Sequence, residues 1–188
     1  MLLARGLVDE VPLLSGIEAL YGRSVHHCLY CDGYGFEHSG EPMAAYGAGD
    51  KGAGLALMMT QWSPDVILCT GGEADVTPPM AQGLTERGIK IFPDRIVGLE
   101  GDCGRLKRVR FQNGIAIERS ALFFTTGCQL DEKGGVMTDP LTEETSVPGV
   151  YVAGDVSRDV LLVVVAAAEG AKAGVAINHA LLREDGLC

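Results

Sequence analysis

Residues 43–52 read Met43-Ala44-Ala45-Tyr46-Gly47-Ala48-Gly49-Asp50-Lys51-Gly52, a short apolar run followed at once by three glycines. The apolar run predicts a buried strand. An amphipathic helix is predicted after the glycines, since apolar residues recur there at the spacing of one helix face: Leu55, Met58, Met59 and Trp62. The pattern Gly-x-Gly-x-x-Gly therefore stands between a strand and a helix.

Similar units follow along the chain. Residues 65–70 are apolar and β-branched, which predicts a second buried strand. Residues 80–88 predict another helix, which ends at Gly88. Residues 89–92 predict a third strand. This β-α-β-α-β order is typical of half of a doubly wound nucleotide-binding sheet.

The pattern changes after residue 105. Residues 106–111 and 115–118 are two strand-like runs joined across Asn113-Gly114, the dipeptide that most strongly favours a hairpin. A further strand is predicted at 121–127, then a polar segment at 129–149. A strand at 149–155 and a long helix over about 158–183 complete the predicted elements.

The net charge and amino-acid composition exclude some classes of partner and favour one fold class. The 188 residues carry a formal net charge of −10, which matches poorly with nucleic acid or an anionic membrane, and neither is expected as a partner. No apolar run approaches the roughly 20 residues of a bilayer span. The 26 glycines, roughly twice the usual share, favour many tight turns in an α/β protein. The six cysteines are mostly scattered singly, so a reducing cytoplasm is the predicted location.

The glycine turn predicts a phosphate site. Gly47 permits the tight turn, Gly49 lets a pyrophosphate approach the backbone, and Gly52 lets helix and strand pack closely. Asp50 lies within the same turn. A glycine-rich turn that holds no ligand is the alternative. Glu73, just after the second strand, is the candidate for an NAD ribose contact, while the loop has no arginine for an NADP phosphate before Arg87.

Cys28-Leu29-Tyr30-Cys31-Asp32 is a second candidate site. The two-residue spacer lets the sulfurs form a reversible disulfide, and Asp32 would supply a proton acceptor and donor beside them. Two alternatives stay open. The pair is half of a zinc site with His26 or His27, although no second ligand cluster is evident, or it is simply two buried thiols.

Taken together, these motifs resemble the low-molecular-weight thioredoxin reductases and their thioredoxin-reductase-like relatives. The resemblance rests on Cys28 to Tyr34, on Gly47 to Gly52, on Pro148 to Asp155, and on Ala166 to Gly170 at the C-terminal helix. The Cys-Leu-Tyr-Cys-Asp-Gly-Tyr variant is similar to a branch that includes dithiol oxidases of natural-product pathways.

The resemblance implies a relay in which NADPH or NADH reduces FAD and the flavin reduces the Cys28–Cys31 disulfide; an oxidase would run the relay in reverse. By position, Cys31 is the flavin-facing sulfur, Cys28 exchanges with substrate, and Asp32 is the acid/base. Asp155 would contact FAD, with Gly127 and Gly154 as further cofactor residues. The implied substrate is a thioredoxin-like protein or a small disulfide or dithiol.

The predicted fold is an α/β Rossmann-like NAD(P)-binding domain over 12–127, plus parts of a second, FAD-binding Rossmann-like domain. Those parts are a remnant at 1–11 and a C-terminal segment at 128–188. We expect that the family's own N-terminal FAD-binding half, roughly a hundred residues, is missing from this chain. We therefore expect homo-oligomers, or pairing with a chain that supplies that half. A nucleotide-binding module without turnover is the alternative function. Arg5, Leu161 and Leu162 stand where the family has polar flavin contacts.

Overall fold

The computed structural model describes residues 1–6, 9–36, 40–72, 75–125, 127–128, 136–157 and 161–186. The chain divides into two compact units. The central unit is Val11–Thr126, and the terminal unit combines Met1–Glu10 with Gly127–Cys188. Each unit has its own sheets and its own buried cluster.

The described residues form strands and helices in the following order. The strands are β1 (Leu2–Leu3), β2 (Asp9–Glu10), β3 (Val25–His26), β4 (Met43–Tyr46), β5 (Val66–Cys69), β6 (Lys90–Phe92), β7 (Ile96–Asp102), β8 (Arg105–Phe111), β9 (Ala116–Glu118), β10 (Ala121–Phe124), β11 (Gly127–Cys128) and β12 (Tyr151–Val152). The α-helices are α1 (Leu29–Asp32), α2 (Gly49–Met59), α3 (Pro78–Glu86) and α4 (Val163–Glu184). Short 3-10 turns lie at Ile17–Ala19 and Gly33–Phe36.

A parallel sheet forms the centre of the central unit, with strand order β3-β10-β4-β5-β6. All four residues of β5 and all four of β10 are buried, because apolar clusters cover both faces of the sheet. The strands predicted around residues 43–47, 65–70, 89–92 and 121–127 are therefore present, and the predicted α/β class is confirmed.

The helix after the glycine turn differs from the prediction at its end. Leu55 and Met59 are buried as expected, but α2 stops at Met59, and Trp62 lies beyond it. The Thr60 N–H and hydroxyl both donate to the Leu57 carbonyl, at 3.3 and 2.7 Å, and thereby close the last turn of the helix. The next helix, α3, starts at Pro78 and is followed by Gly88 at φ +68°.

A three-stranded antiparallel sheet, β7-β8-β9, is inserted before β10. The predicted Asn113-Gly114 hairpin joins β8 to β9, with Gly114 at φ +86° and its N–H donating to the Phe111 carbonyl at 3.0 Å. Strand β7 was not predicted. Its pairing with β8 is interrupted by register shifts, so its buried residues do not alternate regularly.

The terminal unit has two small sheets, with β1 parallel to β12 and β2 antiparallel to β11. Its buried cluster consists of Tyr151, Ala153 and Ala173, the last from α4. The long C-terminal helix is present, but it starts at Val163 instead of 158, and residues 158–160 lie outside the described part. Among the described helices of the whole chain, none has the length and hydrophobicity that crossing a bilayer requires.

Candidate active site

The Cys28–Cys31 pair lies where β3 leads into α1. Cys28 caps the N-terminus of α1 in an extended backbone conformation, and its Sγ accepts a hydrogen bond from the Cys31 N–H at 3.2 Å. The two cysteines form a disulfide, with their Cα atoms 5.3 Å apart. Cys31 is exposed and Cys28 half-buried, so the disulfide lies at the surface of the central unit. The predicted pairing of the two sulfurs is thus present.

The carboxylate of Asp32 lies in the same helix and faces a buried histidine. Asp32 Oδ1 is 3.4 Å from His26 Nδ1, and the Asp32 side chain is 37% exposed while that of His26 is 7% exposed. The imidazole stacks on Phe123 with ring centroids 5.3 Å apart, and its Nε2 is buried without a hydrogen-bond partner among the described residues. His26 is thus held with its Nδ1 edge toward the carboxylate. The sequence singled out His26 only as a possible zinc ligand.

Aromatic and methionine side chains pack beside the residue that separates the two cysteines. Tyr30, between the two cysteines, is 69% exposed, and its hydroxyl donates to the Met58 sulfur at 3.7 Å. Its ring meets Trp62 edge to face, with centroids 5.9 Å apart. Gly33 packs under the same tryptophan, and a Cβ there would lie 3.0 Å from Trp62 Nε1. The residue between the two cysteines therefore packs against a methionine and a tryptophan.

The glycine turn lies between β4 and α2, as predicted. A Cβ on Gly52 would collide with the carbonyl of Gly47, so helix and strand can approach this closely only with glycine at that position. Gly49 adopts φ +54°. Ala48, the N-cap of α2, gives the first turn no side-chain hydrogen bond. Among the described residues, no side chain caps the N–H groups at this helix start, so the residues present fit a dinucleotide pyrophosphate.

Asp50 has a different set of contacts. Its carboxylate accepts hydrogen bonds from the Thr77 N–H at 2.8 Å and the Thr77 hydroxyl at 2.9 Å. Thr77 is the N-cap of α3. Asp50 thus ties the start of α2 to the start of α3 and leaves the phosphate contacts to the backbone.

The loop after β5 holds a feature that the sequence did not reveal. Gly71 and Gly72 have φ of +67° and +105°, and Gly72 packs beside Arg95, whose Cγ would lie 3.9 Å from a Cβ at Gly72. Arg95 follows β6, which pairs with β5. Glu73, the predicted ribose contact, lies outside the described residues. Arg95 lies beside this loop because β5 and β6 are neighbours in the sheet, so no local sequence motif predicts the contact.

The remaining predicted cofactor residues belong to the terminal unit. Gly127 lies in β11. Gly154 follows β12 at φ +84°, and its N–H donates to Glu169 at 2.8 Å. Asp155 is half-buried next to it. For FAD, these residues supply one carboxylate, but no glycine cradle like that of Gly47–Gly52 is found in the described part of this unit.

The other described thiols are placed differently from the CxxC pair. Cys69 is buried in β5, and burial raises its pKa to about 12, with Arg119 acting in the opposite direction. Its thiol is therefore inert at neutral pH. Cys103 is exposed. A search of the described residues finds no group of three or more His, Cys, Asp and Glu side chains placed to hold a metal ion.

Comparison with known proteins places this architecture in a family. The family model for pyridine nucleotide-disulphide oxidoreductases matches residues 1–170. Thioredoxin reductase of Pneumocystis carinii is 27% identical, the alignment covering 98% of this chain and 63% of that protein. Thioredoxin reductase sirT of Leptosphaeria maculans is 28% identical, with 98% and 64% covered.

A solved structure shares the fold of this chain. The crystal structure of HlmI superposes with a TM-score of 0.87 at 31% identity, covering 98% of this chain and 60% of that one. The chain spans a little under two thirds of the length of each of these relatives. The resemblance expected from the motifs is confirmed: this chain belongs to the pyridine nucleotide-disulphide oxidoreductase family and is similar to thioredoxin reductases.

Proposed function

We propose that the protein is a thiol–disulfide oxidoreductase in which Cys28 and Cys31 are the redox-active pair. Electrons would pass between a nicotinamide nucleotide, FAD and this disulfide, and from it to a disulfide substrate. The observation that carries the proposal is the surface disulfide at the start of α1, with the Asp32 carboxylate in the same helix. The glycine cradle in the same unit and the thioredoxin reductases among the relatives support it.

The chemistry of the pair follows from its hydrogen bonds. Reduction of the disulfide takes two electrons and two protons and yields two thiols. The Cys31 N–H donates to Cys28 Sγ, and such a donor stabilises a thiolate on Cys28. Cys28 would then attack one sulfur of the substrate disulfide and release one substrate thiol. Cys31 would displace the second substrate thiol and restore the Cys28–Cys31 bond. Asp32 would accept and return the proton of the attacking thiol.

The cofactor residues divide between the two units. Gly47, Gly49 and Gly52 would hold the nicotinamide pyrophosphate against the start of α2, while Asp50 keeps α2 and α3 in place. Asp155 would be the flavin contact in the terminal unit. A nicotinamide and a flavin, when bound, supply the two-electron reduction of the disulfide.

Arg95 is the residue that we expect to determine the preference between NADPH and NADH. Its side chain packs against Gly72, in the loop after β5, where the ribose of a dinucleotide lies in such sheets. We therefore propose NADPH as the preferred donor. Arg95→Gln should weaken NADPH binding about tenfold in calorimetry and leave NADH binding unchanged. Arg87→Gln is the control. Equal affinity for both nucleotides in the unsubstituted protein would contradict the assignment.

The substrate is proposed to be a disulfide, either on a thioredoxin-like protein or on a small molecule. The exposed Tyr30 and the neighbouring Tyr34, which is 82% exposed, would contact it beside the disulfide. Homo-oligomers, or pairing with a chain that carries an FAD-binding half, remain our prediction for the assembly, and a cytoplasmic location remains our prediction for the cell.

The redox pair is tested without any cofactor. The protein is equilibrated in glutathione buffers of graded potential, trapped with an alkylating reagent and weighed by mass spectrometry. We expect one reversible two-electron transition, which Cys31→Ser and Cys28→Ser both abolish and Cys103→Ser preserves. Failure of the pair to interconvert at any potential would overturn the proposal. Reversible oxidation without NADPH-dependent disulfide reduction, after FAD is added, would favour the nucleotide-binding module.

A further inference from the structure

A cavity of about 480 Å³ lies in the central unit, away from the glycine cradle. Its lining includes Ser24, Glu41 and Ser120, which lie just before the starts of β3, β4 and β10. The cavity is therefore at the amino ends of these parallel strands, whereas the glycine turn follows the carboxyl end of β4. A ligand held there would be separate from a nucleotide on the cradle.

One wall of this cavity is cationic. It carries Arg23, Arg105 and Lys107, in a chain whose net charge is −10. Buried hydrogen bonds join the segments that bear them. The Ser24 hydroxyl donates to the Gly104 carbonyl at 2.9 Å and accepts from the Leu106 N–H at 2.8 Å. The turn before β3 is thereby fixed to the start of β8, and the two arginines are held at the same wall.

The guanidinium groups of Arg23 and Arg105 form no polar contacts with other described side chains. Within the part of the chain that the structure describes, neither Arg23 nor Arg105 has a side-chain hydrogen bond or an ion pair, whereas Lys107 lies 3.6 Å from Asp102. The carboxylates in the lining have other contacts, since Asp32 faces His26 and Glu41 also has an interaction of its own. The free charge at the cavity is therefore positive.

We propose that this cavity binds a small organic anion that carries carboxylate or phosphate groups. Guanidinium groups form paired, charge-assisted hydrogen bonds with both. Phe36 and Leu106 would contact the apolar part of such a molecule, and the volume is that of ordinary small-ligand sites. The assignment uses neither the disulfide nor the nucleotide cradle, although His26 and Asp32 of the candidate active site also line the cavity. Anion binding is measured without turnover, so its failure is distinguishable from a failure of the proposed redox activity.

Calorimetric titration of the full chain with citrate and with inorganic phosphate, at constant ionic strength, tests the assignment. We expect at least one of them to bind with a Kd below about 1 mM. Tighter citrate binding identifies carboxylates as the preferred groups, and tighter phosphate binding identifies phosphates. Arg23→Gln and Arg105→Gln should each weaken that binding about tenfold. Both side chains are exposed, so the fold should tolerate either substitution.

The matched control is Arg110→Gln. Arg110 lies on β8 like Arg105, but it pairs with Glu100 at 3.3 Å and does not line the cavity. It should leave anion binding unchanged. The proposal is overturned if neither anion binds, if the substitutions at Arg23 and Arg105 have no effect, or if Arg110→Gln weakens binding as much as they do.

Discussion

The central unit and the terminal unit differ in the kind of side chain that each one buries. The central sheet buries whole apolar strands, and Phe123 and Phe124 have no exposed surface. Among its described residues, the terminal unit has a buried cluster of three, and Val163 and Val164 on α4 are 88% and 68% exposed. Instead, it buries charged side chains with partners. From this contrast we expect apolar packing to contribute most of the stability of the central unit, and buried polar contacts to contribute a larger share in the terminal unit.

The polar contacts of the terminal unit connect its loops to α4. Glu143 is fully buried, forms an ion pair with Lys172 of α4, and accepts a hydrogen bond from the Thr138 hydroxyl at 3.0 Å. Glu169 of α4 accepts from the Gly154 N–H at 2.8 Å and from the Ser157 hydroxyl at 3.0 Å. Two carboxylates thus connect the segment 138–157 to the helix.

The largest effect is expected from truncation of the central core. Phe123→Ala should reduce the free energy of unfolding of the central unit by about 3–5 kcal/mol, because it removes buried contacts and leaves a cavity. Hydrogen exchange of β4 and β10 measures the change. Val163→Ala removes an exposed side chain and should change stability by less than about 0.5 kcal/mol. Similar losses from both substitutions would contradict the contrast between the units.

A smaller effect is expected from removing the cation that pairs with Glu143. Lys172→Met should destabilise the terminal unit by about 2–3 kcal/mol, since it removes the ion pair that Lys172 forms with a buried carboxylate. This loss is smaller than the loss expected for a fully buried ion pair, because the Lys172 side chain is 40% exposed. Hydrogen exchange of α4 should accelerate while β4 and β10 remain protected.

The control for this substitution is an exposed ion pair in the other unit. Lys107→Met breaks the ion pair with Asp102. The side chains of Lys107 and Asp102 are 59% and 70% exposed, so the substitution should lower the free energy of unfolding by at most about 1 kcal/mol. If Lys172→Met were no more costly than Lys107→Met, the terminal unit would not depend on its buried charges.

The same contrast explains how much of the fold could be predicted from sequence. Strands β4, β5 and β10 are buried on both faces, so their sequences are continuous apolar runs with a clear signal. Strand β7 is buried only at Ile96 and Leu99, and register shifts interrupt its pairing, so its buried positions do not alternate. The start of α4 at Val163 was also missed, because the apolar run that precedes it continues into the helix without a capping residue.

In the candidate site, local motifs could be predicted from the sequence, whereas contacts between distant segments could not. Cys28, Cys31 and the glycine turn are local motifs that the sequence identifies. The helix after the glycine turn was predicted, whereas the short helix α1 at the cysteine pair was not. Arg95 meets Gly72 only because β6 pairs with β5. The contact between Asp50 and Thr77 likewise joins two helices that are separated in sequence. Non-local contacts of this kind depend on strand order and register, which no local pattern encodes.

The smallest effect concerns a loop of the terminal unit. Asp139 Oδ1 accepts hydrogen bonds from the backbone N–H groups of Leu141 and Thr142 at 2.8 and 3.0 Å, and these lower the pKa of the carboxyl from its usual 3.8. Because the pKa is lower in the folded state, the charged form favours folding. The contribution is complete above the unfolded value and disappears as the pH falls through the folded value.

Asp139→Asn should therefore make the terminal unit slightly less stable than the unsubstituted protein at neutral pH, and the difference should vanish in acid below the folded pKa. Protection of α4 amides from exchange, followed from neutral pH to below 3.8, measures it. Asp102→Asn removes an exposed carboxylate of the central unit and should not alter the protection of α4. A difference that persisted unchanged into acid would mean that the amide substitution disturbs the loop itself, because the loss of a charge cannot act where the carboxyl is already protonated.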